Sequence, residues 1–167
     1  DQLASLGPLH MVLDGMIYNP EDLPKPDSSL ASTGDAARLL TSITRIGLVE
    51  TLAKINGDFA LALFDEESRT LKLARDRFGI RPLYHATANG MLAFASRPRS
   101  LLRVPGVSRD PDTKFVMASA GTHYRFIDSD PSRSPFRGIA QVPAGHVVTV
   151  KNGSTSALRF ADIKAGA

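Results

Sequence analysis

The sequence contains no cysteine and no tryptophan among its 167 residues. Without cysteine the chain cannot form a disulfide, a thiolate metal site or a cysteine nucleophile. Its apolar runs are far shorter than the roughly 20 residues that a membrane-spanning helix needs. No segment joins a basic start to an apolar stretch of signal-peptide length, so we expect a cytoplasmic protein without a membrane partner.

The sequence also lacks a strong excess of one charge, since 20 basic and 17 acidic residues leave a net charge of +3. Such a balance argues little for nucleic-acid binding. Seven arginines do concentrate in one stretch, at positions Arg75, Arg77, Arg81, Arg97, Arg99, Arg103 and Arg109. We interpret them as solvated surface or structural ion pairs rather than as a single-strand binding platform. A stand-alone anion-binding module is the less favoured alternative, and it would show salt-dependent nucleic-acid binding.

Length and composition are those of one globular domain, which we place at residues 1–167. Helical periodicity predicts helical blocks at residues 35–55, 96–104 and 110–120. Gly47 is expected to split the first block into two helices. Thr33 is a candidate N-cap, and Asp35 in the first turn suits the helix dipole. Residues 19–34 hold three prolines and are predicted to form a loop.

Alternation of apolar and polar residues predicts strands at residues 9–14, 59–64, 71–74, 83–86, 91–95, 147–150 and 157–160. Asn89-Gly90 and Asn152-Gly153 are hairpin signals, so neighbouring strands should be antiparallel. Residues 59–64 are apolar on both faces, which predicts a strand buried on both sides. Helices grouped apart from the strands indicate an α+β fold in stacked layers rather than a doubly wound parallel sheet.

Few residues suggest chemistry by type and spacing alone. The four histidines are scattered, without a ligand pair at helical spacing, so we predict no metal site. His123 and Asp128 share a predicted loop at residues 122–138, but no G-x-S-x-G elbow accompanies them. No phosphate-binding glycine loop is present, so we expect no nucleotide site in this chain.

Several segments carry more information. These are L-D-G-M-I-Y-N at residues 13–19, I-N-G-D-F-A-L-A-L-F-D at 55–65, L-A-R-D-R-F-G-I-R-P-L-Y at 73–84 and F-A-S at 94–96. Taken on its own, the stretch at 75–82 reads as a sharp turn held by ion pairs. In order, the segments resemble the N-terminal glutaminase domain of asparagine synthetases, a class II glutamine amidotransferase domain. Its pattern runs N-G-E-I-Y-N, S-D-x-E, L-N-G-x-F-A-F-A-L-W-D, L-A-R-D-R-F-G-I-K-P-L-Y and F-A-S-E.

The resemblance extends over about residues 9–160, because residues 135–148 also resemble the family's F-R-G-I-x-x-L-P-P-G-H. It implies a four-layer αββα sandwich of two stacked antiparallel sheets, of the N-terminal-nucleophile hydrolase type. Only 13 residues precede Asp14, whereas the family has a longer segment there. We therefore expect this domain to be incomplete at its N-terminus.

The family's nucleophile is an N-terminal cysteine whose own α-amine serves as the base. It has no counterpart here, nor has the arginine that holds the substrate carboxylate, so we predict no catalytic residue in this chain. The resemblance makes Asp14, Gly15 and Asp35 the substrate-binding candidates. Asp14-Gly15 matches the oxyanion pair Asn-Gly, with a carboxylate that repels an oxyanion in place of an amide donor. Asp35 matches the acidic residue that binds the glutamine ammonium, although Gly34 and Ala37 replace the flanking Ser and Glu. The alternative to a substrate-binding role is a purely structural one, in which Gly15 forms a bend and Asp35 begins a helix.

These substitutions lead us to expect a glutaminase-like domain that does not hydrolyse glutamine in this form. Its parent would be an ATP-dependent amide-bond-forming enzyme of the asparagine synthetase family. β-Lactam synthetases and lasso-peptide cyclases are such relatives, and the unusual stretch at residues 122–131 favours that group slightly. ATP and Mg²⁺ would bind in a downstream synthetase domain of the same polypeptide, and a homo-oligomer is possible. The alternative is an active glutaminase whose cysteine lies in a segment outside this sequence.

Overall fold

The computed structural model describes residues 2–31, 33–121 and 130–161. In chain order, its elements are β1 (Leu3–Leu6), β2 (Leu9–Ile17), a 3₁₀ turn (Pro20–Asp22), α1 (Asp35–Ile46), α2 (Leu48–Lys54), β3 (Gly57–Asp65), β4 (Thr70–Arg75), β5 (Tyr84–Ala88), β6 (Met91–Ala95), α3 (Pro98–Leu101), α4 (Thr113–Gly121), β7 (Ile139–Gln141), β8 (His146–Lys151) and β9 (Ser154–Arg159). They form two compact units. The first comprises the chain up to Arg81 and from Ala144 onward, and the second is Pro82–Pro143.

The first unit is built on an antiparallel sheet in the order β1-β2-β3-β4-β8-β9. β2 pairs with β3 along its whole length, from Leu9 opposite Asp65 to Ile17 opposite Gly57. β1 pairs only with the first part of β2, because its register runs from Leu6 opposite Leu9 to Leu3 opposite Val12. The second half of β2 therefore extends beyond the end of β1.

Helices α1 and α2 cover one face of this sheet. α1 buries Ala36, Leu39, Leu40 and Ile43, the spacing that the sequence predicted. These side chains share a core with alternate residues of β2 and β3, namely Met11, Leu13, Ile17, Phe59, Leu61 and Leu63. Burying a leucine or isoleucine stabilises the fold by about 1.5–3 kcal/mol, so this interface fixes α1 against β2. Gly47, with a φ of +93°, ends α1 and begins α2 as predicted.

β3 lies near the middle of the sheet and is buried on both faces. Phe59, Leu61 and Leu63 face the helices, while Ala60 and Ala62 are equally buried on the opposite face. The prediction from its uninterrupted apolar sequence is therefore confirmed.

The second unit contains a smaller antiparallel sheet in the order β6-β5-β7. Asn89 and Gly90 both have positive φ, as a tight hairpin between β5 and β6 requires. Ala86, Leu101 and Ile139 form its buried core, with α3 packed on β5 and β6.

The structure differs from the sequence prediction in several places. β1 and β7 were not predicted, and both are very short strands of four and three residues. Gly34, rather than Thr33, is the N-cap of α1, and no side chain caps that helix end. α3 is shorter than predicted, whereas the helix predicted at 110–120 is observed as α4. Of the predicted loop at residues 122–138, residues 122–129 lie outside the described part of the chain.

Candidate functional site

The second half of β2 presents backbone N–H groups at an edge of the sheet that no described strand pairs with. Leu13 donates its N–H to the Gln2 carbonyl at 2.8 Å, and Ile17 donates to the Asp35 carboxylate at 3.2 Å. The Tyr18 N–H points to the opposite side of the strand and donates to the carbonyl of Asn56, beside β3. Since N–H directions alternate along an antiparallel strand, the Gly15 N–H points to the same edge as those of Leu13 and Ile17. It lies past the end of β1.

Gly15 is also required by the packing of β2 on β3. Its φ is +135°, and a Cβ there would lie 2.0 Å from the Asp58 carbonyl oxygen and 2.8 Å from Phe59 Cα. No side chain fits this approach, and L-residues rarely adopt this backbone conformation. The glycine at this position therefore has a structural reason that is independent of any ligand.

Asp35 is the first residue of α1, and its carboxylate reaches the same edge. Its Oδ2 accepts the Ile17 N–H, which ties the start of α1 to β2. Ile17 lies two residues beyond Gly15, a separation of about 7 Å along a strand. Among the described residues, Oδ1 of Asp35 has no hydrogen-bond partner, so it remains available to a cation.

Asp14 lies on the face of the sheet opposite the helices. Its Oδ1 is 3.8 Å from Nη1 of Arg81, and the two side chains are 41% and 45% exposed. An exposed pair of this kind contributes about 0–1 kcal/mol, so it does not dictate the residue types. An ionised carboxylate accepts hydrogen bonds and donates none, so Asp14 provides no donor for an oxyanion.

Three predicted residues thus meet around one stretch of β2, but on different sides of it. Gly15 and Asp35 share this edge of β2, while Asp14 projects from the opposite face. The structure supports the helix-start role of Asp35 and the backbone role of Gly15. It leaves their binding of a substrate as a proposal.

Polar contacts that were not predicted from the sequence hold the chain at the end of β2. The Tyr18 hydroxyl donates to Asp58 at 2.5 Å, and this hydrogen bond raises the pKa of Tyr18. Asn19 accepts the Asn56 N–H at 2.7 Å and donates to the Lys54 carbonyl at 3.1 Å. Tyr18 and Asn19 close the first family motif, so the motif itself was the available signal.

The loop after β4 was expected to be held by ion pairs, and its main contacts instead run to backbone. Asp76 is fully buried, and its carboxylate accepts the N–H groups of Phe78, Ile80 and Arg81, each at 3.0 Å. Arg75 donates to the carbonyls of Arg81 and Gly79. A loop needs such partners because its backbone groups have no strand neighbour.

Some arginines of the stretch at residues 75–109 make structural contacts, and the others are solvated surface residues. Arg75 and Arg77 bind backbone carbonyls, Arg77 reaching Ala53 at 2.8 Å, and Arg81 pairs with Asp14. The other four arginines of the stretch are exposed, at positions Arg97, Arg99, Arg103 and Arg109.

The histidines that the structure describes have ordinary surroundings. The His10 ring lies 2.9 Å from the Ser5 hydroxyl and 3.2 Å from the Glu66 carboxylate. The His146 ring contacts the Ala144 carbonyl at 2.7 Å. Burial lowers the pKa of His85 in the second unit. His123 and Asp128 fall outside the described residues. Within the described part of the chain, no group of three or more histidine or acidic side chains could hold a metal ion.

Comparison with known proteins accounts for this arrangement. Residues 3–161 match the glutamine amidotransferase domain family. Asparagine synthetase (glutamine-hydrolyzing) 3 of Bacillus subtilis is 26% identical over 162 residues, which are 92% of this chain and 25% of that protein. A Mycobacterium tuberculosis protein, provisionally named as an asparagine synthetase (glutamine-hydrolyzing), is 38% identical over 144 residues, 81% of this chain and 21% of its own length. This chain thus spans about a fifth to a quarter of the curated relatives that it matches.

A solved structure gives the same fold at low sequence identity. The glutamine phosphoribosylpyrophosphate amidotransferase of B. subtilis superposes with a TM-score of 0.61 at 16% identity, over 92% of this chain and 29% of that one. This likeness confirms the predicted α+β sandwich of the N-terminal-nucleophile type. None of the described helices combines the length and the hydrophobicity that crossing a bilayer demands. The chain belongs to the glutamine amidotransferase domain family and is homologous to the N-terminal domains of asparagine synthetases.

Proposed function

We propose that this chain is the amidotransferase-type domain of an ATP-dependent, amide-bond-forming enzyme, and that it does not itself hydrolyse glutamine. One observation carries the proposal. At the place where the family pattern has an asparagine, the carboxylate of Asp14 lies 3.8 Å from the Arg81 guanidinium. The absence of cysteine from all 167 residues agrees with it.

Glutamine hydrolysis needs a nucleophile and donors for the oxyanion that forms on the amide carbonyl. The Gly15 N–H supplies one donor. Asp14 adds a negative charge where a second donor is needed, and loss of one such donor costs about 10²–10³ in rate. The donor requirement of the reaction is therefore compromised at Asp14.

In the full-length enzyme that we propose, the nucleophile is an amine of the substrate rather than a side chain of the protein. An amine of the acceptor forms the new amide by attack on a carboxylate that ATP has activated, in a separate synthetase domain of the same polypeptide. Mg²⁺ would bind with ATP in that domain, as in a lasso-peptide or β-lactam type of cyclase. This chain then acts as a scaffold, with Gly15 and Asp35 retained for β2 and α1 rather than for glutamine.

An active glutaminase is the second candidate, and a specific observation favours it. The Gly15 N–H and the Asp35 carboxylate lie at one sheet edge, because Asp35 accepts the N–H of Ile17, which is about 7 Å from Gly15 along β2. A carbonyl and an ammonium of one small amino acid could engage the two together. This candidate requires a cysteine from a segment outside this sequence.

Glutamate release from glutamine by the full-length gene product separates the two candidates. We expect no release above the enzyme-free rate, together with ATP consumption when an amine-bearing carboxylic acid is present. Asp35→Asn should leave ATP consumption unchanged, as should the control Asp27→Asn in the preceding loop. Glutamate release that Asp35→Asn abolishes and Asp27→Asn preserves would establish the glutaminase and overturn the proposal.

A further inference from the structure

A cavity of about 260 Å³ lies in the first unit, between its sheet and the junction of α1 and α2. Ile43, Gly47 and Leu48 line it from the helices, and Leu9 lines it from the start of β2. Leu9 precedes Gly15 by six residues, which is about 20 Å along a strand. The cavity is therefore separate from the candidate site at the other end of β2, and the function proposed above does not use it.

The part of the cavity that lies over β2 and β3 is apolar. Ile43, Leu48 and Leu63 belong to the buried core of the unit, and the half-buried Leu9 packs against that core. A cavity of about 150 Å³ with leucine and isoleucine walls is large enough to bind benzene. This cavity therefore has room for a hydrocarbon group of that size and for a polar group attached to it.

The part of the cavity over the next two strands is basic, because Lys72 of β4 and Lys151 of β8 line it. Lys72 shares a face of the sheet with Ala74, and Lys151 shares a face with Val147. Since Ala74 and Val147 are packed in the core under the helices, both lysines are on the helix-covered face. Lys72 lies opposite Thr149, two residues before Lys151. Such diagonal neighbours are about 7–8 Å apart, so their long side chains can reach one anion together.

The ammonium groups of the two lysines are available to a ligand. Among the described residues, neither ammonium forms an ion pair or a hydrogen bond. The lining also contains the acidic side chain of Asp65, which is held in the turn between β3 and β4. Its Oδ2 accepts the Ser68 hydroxyl at 2.7 Å, and its Oδ1 accepts the Glu67 N–H at 3.0 Å.

The charges of these side chains indicate which anion the cavity suits. The hydrogen bond from the Ser68 hydroxyl and, to a smaller extent, the charge of Lys72 lower the pKa of Asp65, so Asp65 is ionised at neutral pH. Of the lining side chains that the structure describes, two are then cationic and one is anionic. A ligand with a single negative charge leaves this lining neutral, whereas a doubly charged ligand leaves an excess of negative charge.

We propose that this cavity is a binding site for a small carboxylate with one negative charge and an apolar body. The apolar body packs on the leucines and Ile43, and the carboxylate lies between the ammonium groups of Lys72 and Lys151. Burial of the apolar body drives binding, and the two lysines select the charged head group. The inference does not depend on whether the chain hydrolyses glutamine.

Isothermal titration calorimetry of the full-length gene product with phenylpropionate tests the site. We expect a Kd on the order of 1 mM or lower, as is usual for a well-buried ligand of this size. The uncharged phenylpropanamide should bind about tenfold more weakly, because it lacks the charge that the lysines recognise. Phenylethylphosphonate, in its doubly charged form, should bind no more tightly than phenylpropionate.

Lys72→Met and Lys151→Met remove one charge each while keeping a long side chain in place. Each should raise the Kd of phenylpropionate about five- to tenfold and leave that of phenylpropanamide within about twofold. Lys25→Met, at an exposed lysine of the same unit outside the cavity lining, is the control and should change neither Kd. Circular dichroism spectra check that the three variants fold like the unmodified protein.

A Kd for phenylpropionate above about 10 mM would overturn the proposal. Binding that neither Lys72→Met nor Lys151→Met weakens would also overturn it, because the ligand would then lie elsewhere in the protein. Equal affinity for phenylpropanamide, or tighter binding of phenylethylphosphonate, would refute the assignment of a singly charged carboxylate.

Discussion

Substitution of Gly15 by alanine should destabilise the protein strongly, because two independent penalties meet at this residue. The backbone has a φ of +135°, which costs an L-residue about 1–3 kcal/mol. The new Cβ would lie 2.0 Å from the Asp58 carbonyl oxygen, and this neighbour is backbone rather than a flexible side chain. Overpacking of this kind costs a further ~1–3 kcal/mol. The sum, roughly 2–6 kcal/mol, is a large part of the 5–15 kcal/mol by which a typical domain is stable.

Gly153→Ala is the matched control for this prediction. Gly153 also has a positive φ, of +76°, but no atom lies within 4 Å of its would-be Cβ. It therefore tests the backbone penalty alone, at about 1–2 kcal/mol. Thermal unfolding followed by circular dichroism should show a fall in Tm of a few degrees for Gly153→Ala and on the order of 10 °C for Gly15→Ala.

Equal Tm values for the two variants would refute the reasoning. They would mean that β2 does not approach β3 at Gly15 as closely as described. The steric explanation for this glycine would then fail, and a role of its N–H in ligand binding would become the stronger reason for its presence.

Two further predictions concern the loop after β4 and the end of β2. Asp76→Ala removes the buried carboxylate that accepts three part-buried N–H groups, so we expect the free energy of unfolding measured in urea to fall by about 1–3 kcal/mol. Asp76→Asn should be less damaging because its amide oxygen still accepts, and a loss under about 0.5 kcal/mol for the alanine variant would contradict the hydrogen bonds described. The hydrogen bond to Asp58 favours the neutral Tyr18 phenol, so the stability it contributes is present below the ordinary tyrosine pKa and is lost as pH rises through the higher folded value. Tyr18 should titrate at higher pH than a free phenol in ultraviolet difference spectra against Tyr18→Phe, and Asp58→Asn should remove the shift; an unchanged titration in Asp58→Asn would exclude that carboxylate as the cause.

The parts of the fold that the sequence predicted are those that local interactions determine. The spacing of Ala36, Leu39, Leu40 and Ile43 predicts the buried face of α1, since only neighbouring residues set it. Asn89-Gly90 predicts its hairpin because those residues tolerate the positive φ that the turn needs. The family motifs added the layered α+β architecture, which periodicity alone indicates only in outline.

The parts that were missed depend on partners distant in sequence. β7 has three residues, and it exists as a strand because Ala140 lies opposite His85 in the second sheet. The start of α1 at Asp35 was predicted, but its hydrogen bond to Ile17 spans 18 residues, so no local capping rule could predict that contact. Likewise, charges at residues 75–81 suggest ion pairs, whereas burial of Asp76 turns its carboxylate towards backbone N–H groups.

Asp14 and Gly15 are neighbours in the chain, but Asp14 says more about the function of the domain than Gly15 does. Gly15 is fixed by the approach of β2 to β3, so its presence is expected in any chain with this sheet, active or not. Asp14 lies 3.8 Å from Arg81 in a half-exposed ion pair, and its carboxylate stands where the family pattern has an amide. The carboxylate at Asp14 is therefore better grounds for a changed function than the glycine beside it is for a retained one.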